Sequence, residues 1–167
     1  MGTLGTIDFP LRLRETGRPD AGAAAIFRRA FHCEPPHDPR HFSAVYRSDG
    51  EAERVTGYVH FIPLESGIYL CGGLCVDSRA YRVLSQAQRD AVASQGSMAR
   101  WLLRESIDAL GPKQAVFAFT GDARSRRDAI ALGFEPTASR YLLVQWHGAD
   151  PAQRPDLIRR AVAIGPF

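Results

Sequence analysis

The chain has 167 residues, 45% of them apolar and 23% charged, and carries a net charge of +3. That length favours one domain, read as 1–167 with its main body at about 10–147 and a tail at 148–167. No stretch approaches the roughly 20 apolar residues of a membrane span, and the first residues lack a basic-then-apolar leader, so a cytoplasmic location is expected. The charge is small and no basic run carries interleaved aromatics, so nucleic acid is not an expected partner.

The first element is a strand, Pro10 to Arg14. A helix begins at Pro19-Asp20, with Ala23, Phe27, Ala30 and Phe31 at helical spacing and Arg28 and Arg29 facing out. Three prolines within Cys33–Pro39 stop it. A hairpin follows: Phe42 to Arg47, a turn at Ser48–Glu51, and Arg54 to Ile62. Ile68 to Val76 reads as the next strand. Its central Gly72-Gly73 pair marks a bulge or a place where backbone meets a ligand.

From Asp77 to Val92 the chain is polar and basic, with helical character beginning near Ser85. An amphipathic helix then places Ala99, Leu103, Ile107 and Leu110 on one stripe, flanked by Met98 and Leu102, and Gly111-Pro112 ends it. Ala115 to Phe119 is apolar on both faces, as a covered parallel strand would be. A short helix follows from Arg124 to Leu132, then a last strand from Ser139 to Trp146. The tail carries a helix at Asp156 to Ala163. The order predicts an α/β fold on a mixed sheet, with antiparallel hairpins first and then a parallel pair joined by a helix.

Cys33, Cys71 and Cys75 are too few, and odd in number, for a disulfide framework. On one strand, Cys71 and Cys75 would be about 13 Å apart, so they read as small buried apolar side chains. His32, Cys33, Glu34, His37, Asp38 and His41 form a polar cluster without recognised zinc spacing, so no metal is expected.

The element order and three motifs resemble the GNAT superfamily of acyl-CoA-dependent N-acyltransferases. The resemblance runs from Leu11 to Trp146 and is strongest after Ile68. It implies a central mixed sheet whose parallel strand pair splays apart, flanked by helices. The donor substrate it implies is acetyl-CoA.

The first motif is Leu74-Cys75-Val76, the end of a strand that in the family carries a bulge and pairs with pantetheine. The second is the turn before the amphipathic helix, Gln95-Gly96-Ser97, where the family holds the cofactor pyrophosphate on backbone N–H groups at a helix start. Here Ser94 stands in place of the family's first glycine and Ala91 in place of its Arg or Gln. Gln88, Arg89 and Gln95 are nearby donors, and spacing does not choose among them. Ser94 or Ser97 also reads as a plain N-cap. The third motif is the turn Thr120-Gly121-Asp122 followed by the helix ending in Leu132-Gly133-Phe134. In that helix Arg124, Arg126 and Arg127 flank Ser125 and could reach the cofactor's phosphates. The cofactor contacts implied are therefore Leu74, Cys75, Val76, Gln95, Gly96, Ser97, Asp122, Ser125 and Arg126.

Direct transfer from a thioester to an amine needs a base and an acid for the leaving thiolate. Many family members place a tyrosine acid where this chain has Ala129, which leaves Ser125 and Tyr141 as substitutes. His60, on the strand beside the bulged one, is the candidate base. The expected acceptor is an amine of a small molecule or a peptide N-terminus. The resemblance leaves three readings: an N-acetyltransferase, a non-catalytic relative that binds CoA esters as a sensor or partner module, and an interaction domain using Asp77–Val92 for assembly. A homodimer through the last strand or the tail is a further expectation.

Overall fold

A computed structural model describes residues 9–37, 39–47 and 52–165. Among these residues seven strands form one mixed sheet in the order β1-β2-β3-β4-β5-β7-β6. In chain order the elements are β1 (Leu11–Thr16), α1 (Ala21–Phe31), β2 (Arg40–Tyr46), β3 (Arg54–Glu65), β4 (Ile68–Val76), a 3-10 turn (Ala80–Arg82), α2 (Gln86–Ser94), α3 (Met98–Ala109), β5 (Ala115–Phe119), α4 (Ala123–Ala131), β6 (Glu135–Pro136), β7 (Leu142–Trp146) and α5 (Arg154–Ile164). Every neighbouring pair is antiparallel except β4 and β5, which are parallel. The hairpin turn expected at Ser48–Glu51 lies outside the described residues.

Both faces of the sheet are covered. On one face α3 buries Met98, Leu102, Leu103 and Ile107 against Phe42, Val59, Phe61 and Val116. On the other, α1 sets Ile26 and Phe27 against Tyr58 and Cys75, while α5 sets Leu157 and Ala161 against Leu70, Phe117 and Val144. Each fully buried Leu, Ile or Phe contributes about 1.5–3 kcal/mol. The helix in the tail is therefore part of a core cluster. Among the described residues no helix is long and apolar enough to cross a membrane.

Local chemistry sets the helix starts. Asp20 caps α1 by accepting the Ala23 amide at 2.8 Å. Ser85 and Gln88 form a reciprocal capping box that starts α2, so the polar insert between β4 and α3 is an ordered turn and helix. Asp122 caps α4 through the Arg124 and Ser125 amides. One expected stripe differs. Helix α1 buries Ala23, Ala24, Ile26 and Phe27, whereas Phe31 at its last turn is 41% exposed. A left-handed residue, His32, ends the helix there and turns the chain away before Phe31 can be covered.

Candidate active site

The site begins with a mismatch in strand β4. Tyr58 pairs with Cys75 and His60 with Gly72, so Gly73 and Leu74 together oppose the single residue Val59. This is a β-bulge. Gly73 takes φ +60, and a Cβ there would lie 2.8 Å from His60 Cε1 and also overlap the Phe27 ring. On its other edge β4 pairs with β5 only from Ile68 to Cys71, opposite Ala115 to Ala118. Beyond that point the two parallel strands diverge, and a cavity of about 330 Å³ opens between them.

That cavity has two unlike ends. Its floor is buried and apolar: Cys71, Leu103, Ala118 and Ala129 are all at most 6% exposed. Its mouth carries Phe31, Tyr141, Gly121 and Asp122, all exposed. Thr120 lies between, buried, and its hydroxyl has no hydrogen-bond partner among the described residues. The Asp122 carboxyl is held below its ordinary range by hydrogen bonds from Ser125 and the α4 amides, so it stays ionised. The Cys71 thiol is pushed up to about 12 by burial and stays protonated. Burial thus disfavours Cys71 as a nucleophile near neutral pH.

A second cavity of about 300 Å³ lies toward the C-terminal end of β4 and shares Leu74 and Ser125 with the first. Cys75, Val76, Tyr81, Met98, Ala99 and Arg124 complete its main walls. The insert reaches this cavity through Tyr81, whose hydroxyl accepts the Met98 amide at 3.4 Å at the start of α3.

The turn before α3 is occupied by its own side chains. Gly96 has φ +90, and the Arg100 guanidinium folds over it so closely that a Cβ would lie 2.5 Å from Nη1. Gln95 accepts from Arg104 at 2.9 Å. Ser97 caps α3 through the Arg100 amide and donates its hydroxyl to Asp128 Oδ2 at 3.0 Å. Asp128 also receives Arg100 Nε and Nη2 on Oδ1, at 3.1 and 2.8 Å, which ties α3 to α4.

His60 does not line either cavity. It is fully buried one layer behind Gly73, on the α1 face, among Phe27, Tyr58 and His41. Neighbouring His41 hydrogen-bonds the Tyr58 hydroxyl at 2.7 Å. Burial, with a smaller push from a charged His41, lowers the His60 pKa to about 4. The expectation that His60 takes a proton from substrate is corrected by this placement: the ring is fully buried against Gly73 and lines neither cavity.

The same shift predicts an acid-labile fold. The unfolded chain, with histidine near 6.5, binds that proton more tightly than the folded one. Stability from this site is complete above about pH 6.5 and is lost as pH falls toward about 4, roughly 3 kcal/mol in all. Thermal melts at pH 7.5 and 4.5 should show a drop that shrinks by about 5–10 °C in His60→Gln. An equal drop in both proteins would remove His60 as its source.

The structure therefore brings Leu74, Ser125, Asp122 and Tyr141 to the first cavity, and Leu74, Cys75, Val76 and Ser125 to the second. Gln95, Gly96 and Ser97 line neither. Arg126 sits on a separate shallow pocket with Arg140 and Tyr141, while Arg124 is the arginine on the second cavity. Sequence reasoning missed Phe31, Leu103 and Tyr81 as wall residues. The Tyr81 position had a usable signal in the Ser85–Gln88 capping box, which fixes the insert. Among the described residues no group of three His, Cys, Asp or Glu could hold a metal ion, and Asp38 lies outside them.

No protein-family model matches the sequence, and no curated protein matches it. Solved structures do. An acyl-CoA N-acyltransferase from Pseudomonas aeruginosa aligns with a TM-score of 0.52 at 14% identity, over 80% of this chain and 97% of its own. A GNAT family acetyltransferase from Brucella melitensis, in complex with acetyl-CoA, aligns at 0.53 and 17% identity, over 85% and 91%. A candidate acetyltransferase from Salmonella typhimurium, with its cofactor acetyl-CoA, aligns at 0.52 and 16% identity, over 85% and 96%. With its bulged β4 and, among the described residues, one parallel strand pair and five flanking helices, the chain has the GNAT fold.

Proposed function

We propose that this protein transfers an acyl group from an acyl-CoA to an amine. One observation carries the reading: β4 and β5 part beside a bulge, and two abutting cavities meet there at Leu74 and Ser125. The residues fit a thioester donor. The unpaired β4 edge offers backbone groups to an extended pantetheine, and Arg124 offers a cation for phosphate. In the reaction the amine nitrogen attacks the thioester carbon, a C–N bond forms and the C–S bond breaks. The amine's proton leaves to water and the thiolate takes one up. Tyr141 and Ser125 line the cleft, with Thr120, and are the hydroxyls this reading assigns to supply that proton. Acetyl-CoA is the simplest donor, and the two acetyl-CoA complexes among the structural neighbours support it.

Melting curves test the donor. At 100 times its dissociation constant, acetyl-CoA stabilises by roughly 2.7 kcal/mol, a rise of about 5–10 °C in Tm for a chain of this size. No shift with either CoA or acetyl-CoA at millimolar concentration removes the reading.

A second reading, binding without turnover, is favoured by the α3 start. Its first amides already bond Tyr81 and Ser97, and Ala129 leaves the cleft without the family's tyrosine. Binding of acetyl-CoA with no release of free CoA thiol across a panel of amines would select it.

A further inference from the structure

The first cavity separates two chemical environments that one transfer reaction must keep apart. Its floor holds Cys71, Leu103, Ala118 and Ala129, with no charged group and a thiol that stays protonated. An ammonium placed there would be buried without a partner, which is among the costliest states a polar group can occupy. Its mouth holds the ionised N-cap Asp122 together with the exposed rings of Phe31 and Tyr141. A carboxylate and aromatic faces together suit an incoming amine. The amine therefore enters at the mouth, and the floor is left for the other reactant's apolar end.

We infer that this floor is an acyl-chain pocket, and that the donor carries an aliphatic acyl group longer than acetyl, of about four to six carbons. The inference rests on the acyl-CoA reading above and narrows its substrate class. Size supports it. An apolar cavity of about 150 Å³ is large enough to take up benzene. The space here is about 330 Å³, so it accommodates such a chain at the floor with room for the amine at the mouth. Ala129 is a small wall residue from α4 in the same buried cluster as Leu103 and Ala118, so a larger side chain there would take up part of this space. The thioester chemistry is unchanged: the same C–S bond breaks and the same C–N bond forms, whatever the chain length.

The test is a ladder of CoA, acetyl-CoA, butanoyl-CoA and hexanoyl-CoA titrated into the intact protein by calorimetry. Affinity should rise about fourfold per added methylene, the ratio that ~0.8 kcal/mol per buried CH₂ implies. Butanoyl-CoA should then bind roughly fifteenfold tighter than acetyl-CoA. If acetyl-CoA binds and the ladder is flat or falling, the acyl pocket is refuted while the acyl-CoA reading stands. If no member of the ladder binds, CoA included, both are refuted. In Ala129→Leu, checked for a cooperative melt, the ladder should flatten. A folded variant that keeps the wild-type ladder would place the chain elsewhere and overturn the assignment.

Discussion

Replacing Gly73 with valine should lower stability by roughly 3–5 kcal/mol and abolish acyl transfer. The first part is steric. A non-glycine residue held at φ +60 costs about 1–2 kcal/mol, more for a β-branched one. The new Cβ would also run into Phe27 and lie 2.8 Å from His60 Cε1, and overpacking of this kind costs about 1–3 kcal/mol. Neither ring can retreat easily, since Phe27 is wedged against Tyr58 with centroids 5.6 Å apart and His60 is fully buried. The second part is geometric. Relief of the clash would flatten the bulge, and β4 could then continue alongside β5 past Cys71. That would close the gap in which donor and acceptor meet. At about 2–4 °C per kcal/mol the Tm should fall by about 6–20 °C. A Gly73→Val protein with the parental Tm and undiminished turnover would show that the bulge does not form the site.

The bulge also explains which parts of the molecule were legible in the sequence. Ile68 to Val76 was readable to the residue, because an apolar run between two turn signals has few other solutions. The Gly72-Gly73 pair announced the irregularity. What the run could not reveal was its effect on side-chain parity. Before the bulge Cys71 faces α3. After it Cys75 faces α1, although four residues of regular strand would keep both on one face. Strand β3 gave no better guide. Tyr58, Val59, His60 and Phe61 are all bulky and all buried, so alternation did not say which way His60 points.

Helix α4 was legible because Asp122 caps it and Gly133 ends it, but its spacing did not single out Arg124 over Arg126 for the second cavity. The wall residues Phe31 and Tyr81 escaped notice because each belongs to the site through tertiary placement alone. Phe31 looked like one more apolar position on a helical stripe, and Tyr81 sits in a three-residue turn without periodicity.

Asp128→Ala should cost roughly 2–4 kcal/mol and weaken donor binding, although Asp128 lines neither cavity. Its carboxylate is buried and carries three bonds at once, from Ser97 Oγ, Arg100 Nε and Arg100 Nη2. Removing one partner of a buried pair typically costs about 3–5 kcal/mol, because the other is left without compensation. Arg100 retains 28% of its side-chain exposure and can recruit water, which lowers the figure. The effect on binding follows from position. Asp128 joins the first turn of α3 to the middle of α4, and the second cavity is walled by Met98 and Ala99 from one helix and by Arg124 and Ser125 from the other. Without the tie, those walls lose their fixed spacing and Arg100 is free to leave Gly96. Asp128→Asn keeps an acceptor for Ser97 while losing the charge, so its loss should be smaller. Equal losses in the two variants, measured by denaturant melts, would show that the charge, which both remove, rather than the hydrogen bond that asparagine keeps, holds the helices together. A parental Tm in Asp128→Ala would show that the helices are held by their apolar contacts alone.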